Sequence, residues 1–178
     1  MSVELFESHF YDAGTISEFF DADWALTAGA KGQTAEPGHA VEWVWLLGQY
    51  HKASGTRVRP FQTSLYQNAL SGRGWFLNDE EDKAGETRRE TKRLWVQTEV
   101  IKAHLAMAEI GTPGSADLAA ATIMGLFGPY LTPDGLWFDQ INACGAISGN
   151  QPRADIVAPD LADITSAHAQ PGNTDHRI

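Results

Sequence analysis

A histidine and a glutamate three residues apart are the first residues whose types and spacing could do chemistry. His39 and Glu42 lie in the string Glu36-Pro37-Gly38-His39-Ala40-Val41-Glu42-Trp43. Proline is best tolerated at the first position of a helix, which places His39 in the first helical turn. The positive end of the helix dipole disfavours an imidazolium, so we expect a neutral His39 that can act as a general base. Glu42 lies on the same face and could orient it.

The His39–Glu42 pair is also compatible with two different roles. The first is a helix start that carries an incidental His–Glu pair on its surface. The second is a zinc site, which is weaker because His-x-x-Glu supplies two ligands and no other His or Cys has the spacing to complete the set. We therefore predict no metal and no cofactor. The remaining candidates, His51, His104, His168 and His176, are expected at the surface, and Cys144 is expected to be an inert thiol.

Two further clusters carry groups that suit a ligand rich in hydroxyls. In Arg93-Leu94-Trp95-Val96-Gln97, the first and last residues share a helix face and offer hydrogen-bond donors. In Asp134-Gly135-Leu136-Trp137-Phe138-Asp139, a turn leads into a short strand with one aromatic ring and one carboxylate. Each cluster alone is equally typical of ordinary structure: a charged helix start with Trp95 in the core, or a common turn.

Helical segments must position these residues. Apolar spacing and glycine or proline stops predict six helical segments, with bounds near 2–12, 37–54, 59–71, 92–110, 116–130 and 160–169. Ser115 is the expected N-cap of the fifth. Short strands are expected at 75–77 and 136–139, and the charged segment 78–92 is expected to be a solvated loop. The fold class predicted is all-α, with one domain over 1–170 and a disordered tail at 171–178.

Composition limits the partners and the location of the chain. It has 178 residues, with 23 acidic and 13 basic side chains and a net charge of −10. Like charges repel, so neither nucleic acid nor an anionic membrane is expected as a partner. No apolar run approaches the roughly 18 residues that cross a bilayer, and a single cysteine fits a reducing compartment. A cytoplasmic protein is the prediction.

Together and in this order, the three clusters resemble the N-acylglucosamine 2-epimerase family, which includes mannose isomerases and cellobiose 2-epimerases. The strings Glu36–Leu47, Arg93–Glu99 and Gly135–Asp139 carry the resemblance, and Gly14–Phe20 and Asp23-Trp24 add to it. The resemblance implies part of an (α/α)₆ barrel with short β-hairpin loops and a monosaccharide substrate. It implies proton transfer at C2 through an enediol, with His39 as one of two histidine bases.

The same resemblance implies that Glu42 acts beside His39, and that Arg93, Trp95, Gln97, Trp137 and Asp139 line the sugar site. The match begins midway through the family pattern, so we expect the C-terminal half of a barrel. That half is expected to self-associate or to pair with a chain that supplies the other half. Val96 stands where the family usually has proline, and the closing motif aligns at Pro159–Ala167 with Asp163 in place of the second histidine.

Two alternatives to an isomerase or epimerase follow from these departures. One is a sugar-binding remnant or partner subunit without catalysis. The other is a glycoside hydrolase on the same barrel, which needs two carboxylates about 5–9 Å apart and for which Glu42 and Asp139 form the candidate pair.

Overall fold

Four long helices and a short N-terminal one build the part of the chain that the computed structural model describes, which is residues 3–149 and residue 152. The helices are α1 (Val3–Leu5, continued by a π-helical turn at Phe6–Phe10), α2 (Pro37–Ser54), α3 (Arg59–Leu70), α4 (Leu94–Glu109) and α5 (Ser115–Leu126). All five helical segments predicted within this range are confirmed, and α2 and α3 match their predicted bounds to within a residue. The predicted helix at 160–169 and tail at 171–178 lie outside the described residues.

Local sequence explains both ends of α2. Pro37 occupies its first turn, and the residue before it, Glu36, is extended as residues before proline prefer. At the other end Gly55 adopts a left-handed conformation with φ of 72°, and its N–H donates to the carbonyl of His51 at 2.8 Å. These two signals are short-range, which is why the sequence alone located this helix.

Helices α2 and α4 lie side by side and run in the same direction. Gly38, at the start of α2, lies against Val96 at the start of α4, and Gly48 further along lies near Ala106. Helix α3 packs on α2, and α5 packs on α4. The N-terminal ends of α2 and α4 therefore meet at one end of the molecule, and the loops that precede them meet there too.

Two clusters of buried apolar side chains hold these helices together. The larger cluster joins α2, α3 and α4 and includes Val44, Leu47, Leu65, Val100 and Met107. The smaller one joins α4, α5 and the chain that follows, and it includes Leu94, Ile101, Ala119, Leu126, Tyr130 and Ile141. Because α4 contributes to both clusters, most of its residues are buried, and its first turn is held firmly in place.

Small antiparallel sheets connect the helices, so the prediction of an all-α chain was too narrow. Strands β1 (Tyr11–Asp12) and β2 (Thr15–Ile16) form a hairpin, and β3 (Thr34–Ala35), β4 (Glu80–Asp82) and β5 (Thr87–Arg89) form a three-stranded sheet. Strand β6 (Lys92–Arg93) immediately precedes α4, and it pairs with β7 (Gln140–Ile141), which follows α5. Strand pairs β3–β4 and β6–β7 join segments that are distant in the chain, and local patterns do not reveal such pairings.

Four local expectations were wrong. Residues 78–92 include strands β4 and β5 rather than forming a solvated loop, and 75–77 is not a strand. Where a strand was expected at 136–139, the structure has an isolated bridge at Trp137. Strand β7 begins after this segment, at Gln140. Ser115 is the first residue of α5 rather than its cap, because Gly114 takes that place. Among the described residues, no helix has the length and apolarity to cross a bilayer.

Candidate active site

The predicted catalytic histidine lies where the first turns of α2 and α4 touch. The ring of His39 is 5.4 Å from the ring of Trp95, centre to centre, with the planes inclined by 37°. The close approach depends on Gly38, because a Cβ there would lie 2.8 Å from the Trp95 ring. The structure thus brings together two residues, from different helices, that the sequence assigned to one site.

A carboxylate from outside both helices holds His39. Oε2 of Glu18 lies 2.8 Å from Nδ1 of His39, and Oε1 of Glu18 accepts the backbone N–H of Glu36 at 3.0 Å. The Glu18 side chain is 10% exposed and that of His39 is 36% exposed. Sequence reasoning did not select Glu18 as a site residue. The signal that could have found it was its position in the Gly14–Phe20 stretch, which carried part of the family resemblance.

This contact reverses the expected effect on the pKa of His39. The helix N-terminus was expected to keep the ring neutral. Instead, the hydrogen bond to Glu18 raises the pKa of His39 above its usual 6.5, despite partial burial, and the negative charges of Glu18, Glu36 and Glu42 add to the rise. The Glu42 carboxylate makes no hydrogen bond within residues 3–149, so its effect on His39 is that of a nearby charge. His39 is therefore a stronger base than the helix end alone would make it.

Arg93 is the cation of the site, and two carboxylates orient it. Its Nη2 donates to Oε2 of Glu36 at 3.0 Å, and its Nε lies 3.1 Å from Oδ1 of Asp79. The guanidinium carbon is 5.3 Å from the centre of the Trp95 ring. Cations favour the negative face of an indole, so this contact stabilises both side chains. Trp95 therefore lies between His39 and Arg93 and contacts both.

Asp79 is a buried anchor that the sequence did not indicate, because it belongs to the segment expected to be a loop. Its carboxylate is 1% exposed. It accepts the backbone N–H of Arg93 at 2.8 Å and the hydroxyl of Thr91 at 2.5 Å. A buried carboxylate with these donors and a guanidinium beside it is well compensated, and it fixes the residue that precedes α4.

Gln97 is placed differently from the expectation that it offers donors to a ligand. The side chain is fully buried. Its amide oxygen accepts the N–H of Leu77 at 3.0 Å, and its amide nitrogen donates to the carbonyls of Leu77 and Arg93 at 3.0 and 3.1 Å. All three bonds go to the backbone. Gln97 therefore fastens the 75–79 loop to the first turn of α4.

Three other aromatic or acidic residues make contacts with residues other than His39. Trp137 packs on the smaller core cluster, 5.9 Å from the ring of Phe127. Asp139 adjoins β7, and its carbonyl accepts the N–H of Leu94 at 2.7 Å. The ring of Trp43 lies 4.5 Å from the ring of Phe6, centre to centre, with the planes inclined by 34°, and it packs on the larger cluster.

The other histidines differ from one another. His51 is exposed as expected, and its Nδ1 bonds the carbonyl of Thr56. His104 was expected at the surface, and that was wrong. It is buried, and Nδ1 lies 2.7 Å from the hydroxyl of Tyr66, a hydrogen bond that offsets the cost of burying a polar ring. His168, His176 and Asp163 lie outside the described residues.

Glu18, Glu36 and His39 each place one ligand atom within 4.8 Å of the others, a spacing that could hold a metal ion. The donors already have protein partners, however. Glu18 bonds His39, and Glu36 bonds Arg93, whose positive charge disfavours a second cation beside it. The arrangement is better suited to proton transfer than to metal binding.

Comparisons with known proteins found relatives in sequence and in fold. A curated relative, mannose-6-phosphate isomerase of Rhizobium meliloti (strain 1021), is 32% identical over 157 residues, which are 76% of this chain and 38% of that protein. Two solved structures have a similar fold. Cellobiose 2-epimerase from Spirochaeta thermophila DSM 6192 has a TM-score of 0.71 at 20% identity, covering 86% of this chain and 40% of the other. A D-mannose isomerase has a TM-score of 0.72 at 16% identity, covering 86% and 44%.

The chain therefore spans less than half the length of each of these proteins. The sequence model of the family described as N-acylglucosamine 2-epimerase (GlcNAc 2-epimerase) matches residues 3–156, which include all the site residues described above. On that match, the chain belongs to the N-acylglucosamine 2-epimerase family.

Proposed function

We propose that this chain carries part of the active site of a sugar epimerase or isomerase. The observation that carries the proposal is the arrangement of His39. One ring nitrogen is bonded to Glu18, the ring lies against Trp95, and the Arg93 guanidinium lies over the same indole. A base, a cation and an aromatic surface on one partly exposed face suit an open-chain monosaccharide.

The proposed reaction begins with removal of the C2 proton of the open-chain sugar. That proton is acidic because C2 adjoins the C1 carbonyl. Nε2 of His39 takes the proton, and the electron pair of the C–H bond moves to form an enediolate with negative charge on O1. Transfer of the O2 proton to O1, with return of a proton to C1, yields a ketose, whereas return of a proton to the opposite face of C2 restores the C1 carbonyl and yields the epimer.

We assign to Arg93 the role of stabilising the negative charge of the enediolate. Within the described residues, no hydrogen bond involves its Nη1, while Glu36 and Asp79 hold the rest of the guanidinium. A preorganised cation that faces developing negative charge lowers a reaction barrier more than a mobile one, because it need not reorganise during the step. Trp95 supplies the surface for the sugar ring carbons.

The remaining predicted residues take supporting places in this proposal. Glu42 adjusts the proton affinity of His39 through its charge. Gln97 is already bonded to backbone, so we assign it the support of Arg93 rather than contact with the sugar. Trp137 and Asp139 are proposed to form the far side of the sugar site. The monosaccharide is the proposed substrate, with no metal and no cofactor required for the step.

Isotope exchange tests the proposal. The chain is incubated with mannose and with N-acetylmannosamine in deuterium oxide, alone and at high protein concentration, and deuterium at C2 is followed by NMR. We expect incorporation that His39→Asn abolishes and that the matched surface variant His51→Asn leaves unchanged. Absence of incorporation with every sugar, at concentrations where the chain is folded, would contradict the proposal.

Pairing is the second part of the proposal, since the chain spans less than half of its relatives. We propose that it self-associates or binds a chain that supplies the complementary helices. Leu118 and Met124 on α5 are exposed and apolar, as expected of a helix that packs against a neighbour. Sedimentation velocity tests this directly: a monomer at all concentrations would contradict self-association.

A sugar-binding chain without turnover is the second candidate. The observation that favours it is that, among residues 3–149, His39 is the histidine that contacts Trp95, whereas the family resemblance implies two bases. Calorimetric titration with mannose distinguishes the two functions. Binding that Trp95→Ala removes and Trp75→Ala preserves, with no C2 exchange, would favour this candidate over the enzyme. Trp75 is the appropriate control because it is 61% exposed.

A further inference from the structure

We infer that Glu18 is a positioning residue that fixes His39 in the tautomer protonated at Nδ1 and so leaves the Nε2 lone pair free to accept a proton. The catalytic consequence rests on the proposed function. The tautomer itself does not, because it follows from the hydrogen bonds of the folded chain.

The two oxygens of Glu18 both have defined partners. Oε1 accepts the N–H of Glu36 at 3.0 Å, and Oε2 lies 2.8 Å from Nδ1 of His39. An ionised carboxylate accepts hydrogen bonds and cannot donate them. When the imidazole is neutral, the proton must therefore reside on Nδ1. The unprotonated nitrogen is then Nε2, at the opposite edge of the ring.

The backbone around Glu18 is held on both sides. The N–H of Ser17 donates to the carbonyl of Phe10 at 2.7 Å, and the carbonyl of Phe19 accepts the N–H of Thr27 at 3.0 Å. The hydroxyl of Ser17 also accepts a hydrogen bond from the ammonium of Lys83 at 2.8 Å. These contacts fix the carboxylate before any ligand arrives, which is the condition for positioning another side chain accurately.

The other charged groups around His39 do not replace Glu18. Glu36 and Glu42 on α2 are negative, but Glu36 is paired with Arg93, and Glu42 makes no hydrogen bond to the ring within residues 3–149. From α4, the ring is faced by the uncharged indole of Trp95. Glu18 is therefore the group that both bonds Nδ1 and contributes most to the basicity of His39.

Substitution of Glu18 by glutamine distinguishes a positioning role from a packing role, because it preserves the size of the side chain. The amide has one acceptor and one donor group, whereas Glu36 and His39 both present N–H groups to Glu18. If the amide oxygen accepts from Glu36, the amide nitrogen must donate to Nδ1 of His39. That forces the ring proton onto Nε2 and removes the lone pair from the edge where a base is needed.

The primary experiment is ¹⁵N NMR of the full chain labelled at histidine, with the His39 resonances assigned by His39→Asn. At pH values above its pKa, we expect wild-type His39 to be protonated at Nδ1. Glu18→Gln is expected to switch it to the Nε2–H form and to lower its pKa. The matched control Glu109→Gln, which removes a carboxylate paired with exposed Lys52, should change neither. A wild-type ring protonated at Nε2, or a Glu18→Gln ring unchanged in tautomer and pKa, would overturn the inference.

The second experiment measures C2 exchange in deuterium oxide as a function of pH. Glu18→Gln is expected to lower the rate by about 100-fold or more, the usual contribution of a positioned general base. Glu18→Asp, which keeps the charge and two acceptors, should recover part of it. The residual activity of Glu18→Gln should extend to lower pH, since the pKa of His39 falls when the carboxylate is removed. If wild type shows no exchange, the proposed function fails while the NMR result still decides the role of Glu18.

Discussion

The hydroxyl of Tyr66 and Nδ1 of His104 lie 2.7 Å apart in the buried space between α3 and α4. Burial lowers the pKa of His104 to about 4, so the ring is neutral at physiological pH and shares a hydrogen bond with the tyrosine hydroxyl through Nδ1. The hydroxyl of Ser115, at the start of α5, lies 3.5 Å from the same oxygen. The cluster therefore links three helices through one uncharged imidazole.

Stability is expected to decrease with acid through His104. Its pKa is about 4 in the folded chain and about 6.5 when unfolded, so between these values the unfolded chain binds a proton that the folded chain does not. The free energy of unfolding therefore falls as the pH falls from about 6.5 to 4, by roughly 3 kcal/mol in total. Urea unfolding at pH 7.5 and 4.5 measures this loss. His104→Gln should reduce the difference and His51→Gln should not; equal losses in all three chains would contradict the prediction.

Removal of Asp79 is expected to destabilise the chain strongly. Asp79→Ala leaves the N–H of Arg93 and the hydroxyl of Thr91 without their acceptor, and it frees the guanidinium from one of its two carboxylates. Hydrogen bonds to a charged group contribute about 1.5–3 kcal/mol each, so the loss of two is expected to cost about 3 kcal/mol or more. Denaturant unfolding measures the change. Glu109→Ala, which breaks an exposed pair, should cost less than about 1 kcal/mol, and similar values for the two variants would contradict the buried role of Asp79.

Gln97→Leu is expected to destabilise the chain while leaving sugar contacts intact. The substitution preserves volume but leaves the buried N–H and carbonyl of Leu77 unpaired, which costs roughly 3 kcal/mol for the two groups. Exposed Gln67 on α3 gives the control, since Gln67→Leu should change stability by less than about 0.5 kcal/mol. A variant with native stability and weakened sugar affinity would instead place Gln97 in the binding site.

Gly38→Ala is expected to push Trp95 away from its position beside His39. The added Cβ would lie 2.8 Å from the indole and 2.9 Å from Cγ2 of Val96, which is itself fully buried. Overpacking of this kind costs about 1–3 kcal/mol. Unfolding and tryptophan fluorescence measure the effect. Gly74→Ala, where an added Cβ meets nothing within 4 Å, should leave both unchanged, and equal behaviour of the two variants would contradict the close approach of α2 and α4.

The sequence alone determined the helices and half of the site. Pro37 and Gly55 act on neighbouring backbone, so their signals fix the ends of α2 without tertiary contacts. The sequence predicts His39 from its place in a first helical turn, Arg93 from the helix face that it shares with Gln97, and Trp95 from the family resemblance. Residue type and position in a helix are local properties, and the ordered motifs then linked the three clusters to one family.

Tertiary structure decided which side chains surround those residues. Glu18 reaches His39 from 21 positions away, and Asp79 reaches Arg93 from 14, through strands and turns whose partners are distant in the chain. The same long-range pairing turned the charged segment 78–92 into part of a sheet, because β4 pairs with β3 from a distant part of the chain. The sequence does not show whether a charged residue is solvated or buried against a partner. Only the folded arrangement distinguishes the two, and it made Glu18 and Asp79 the groups that hold the base and the cation.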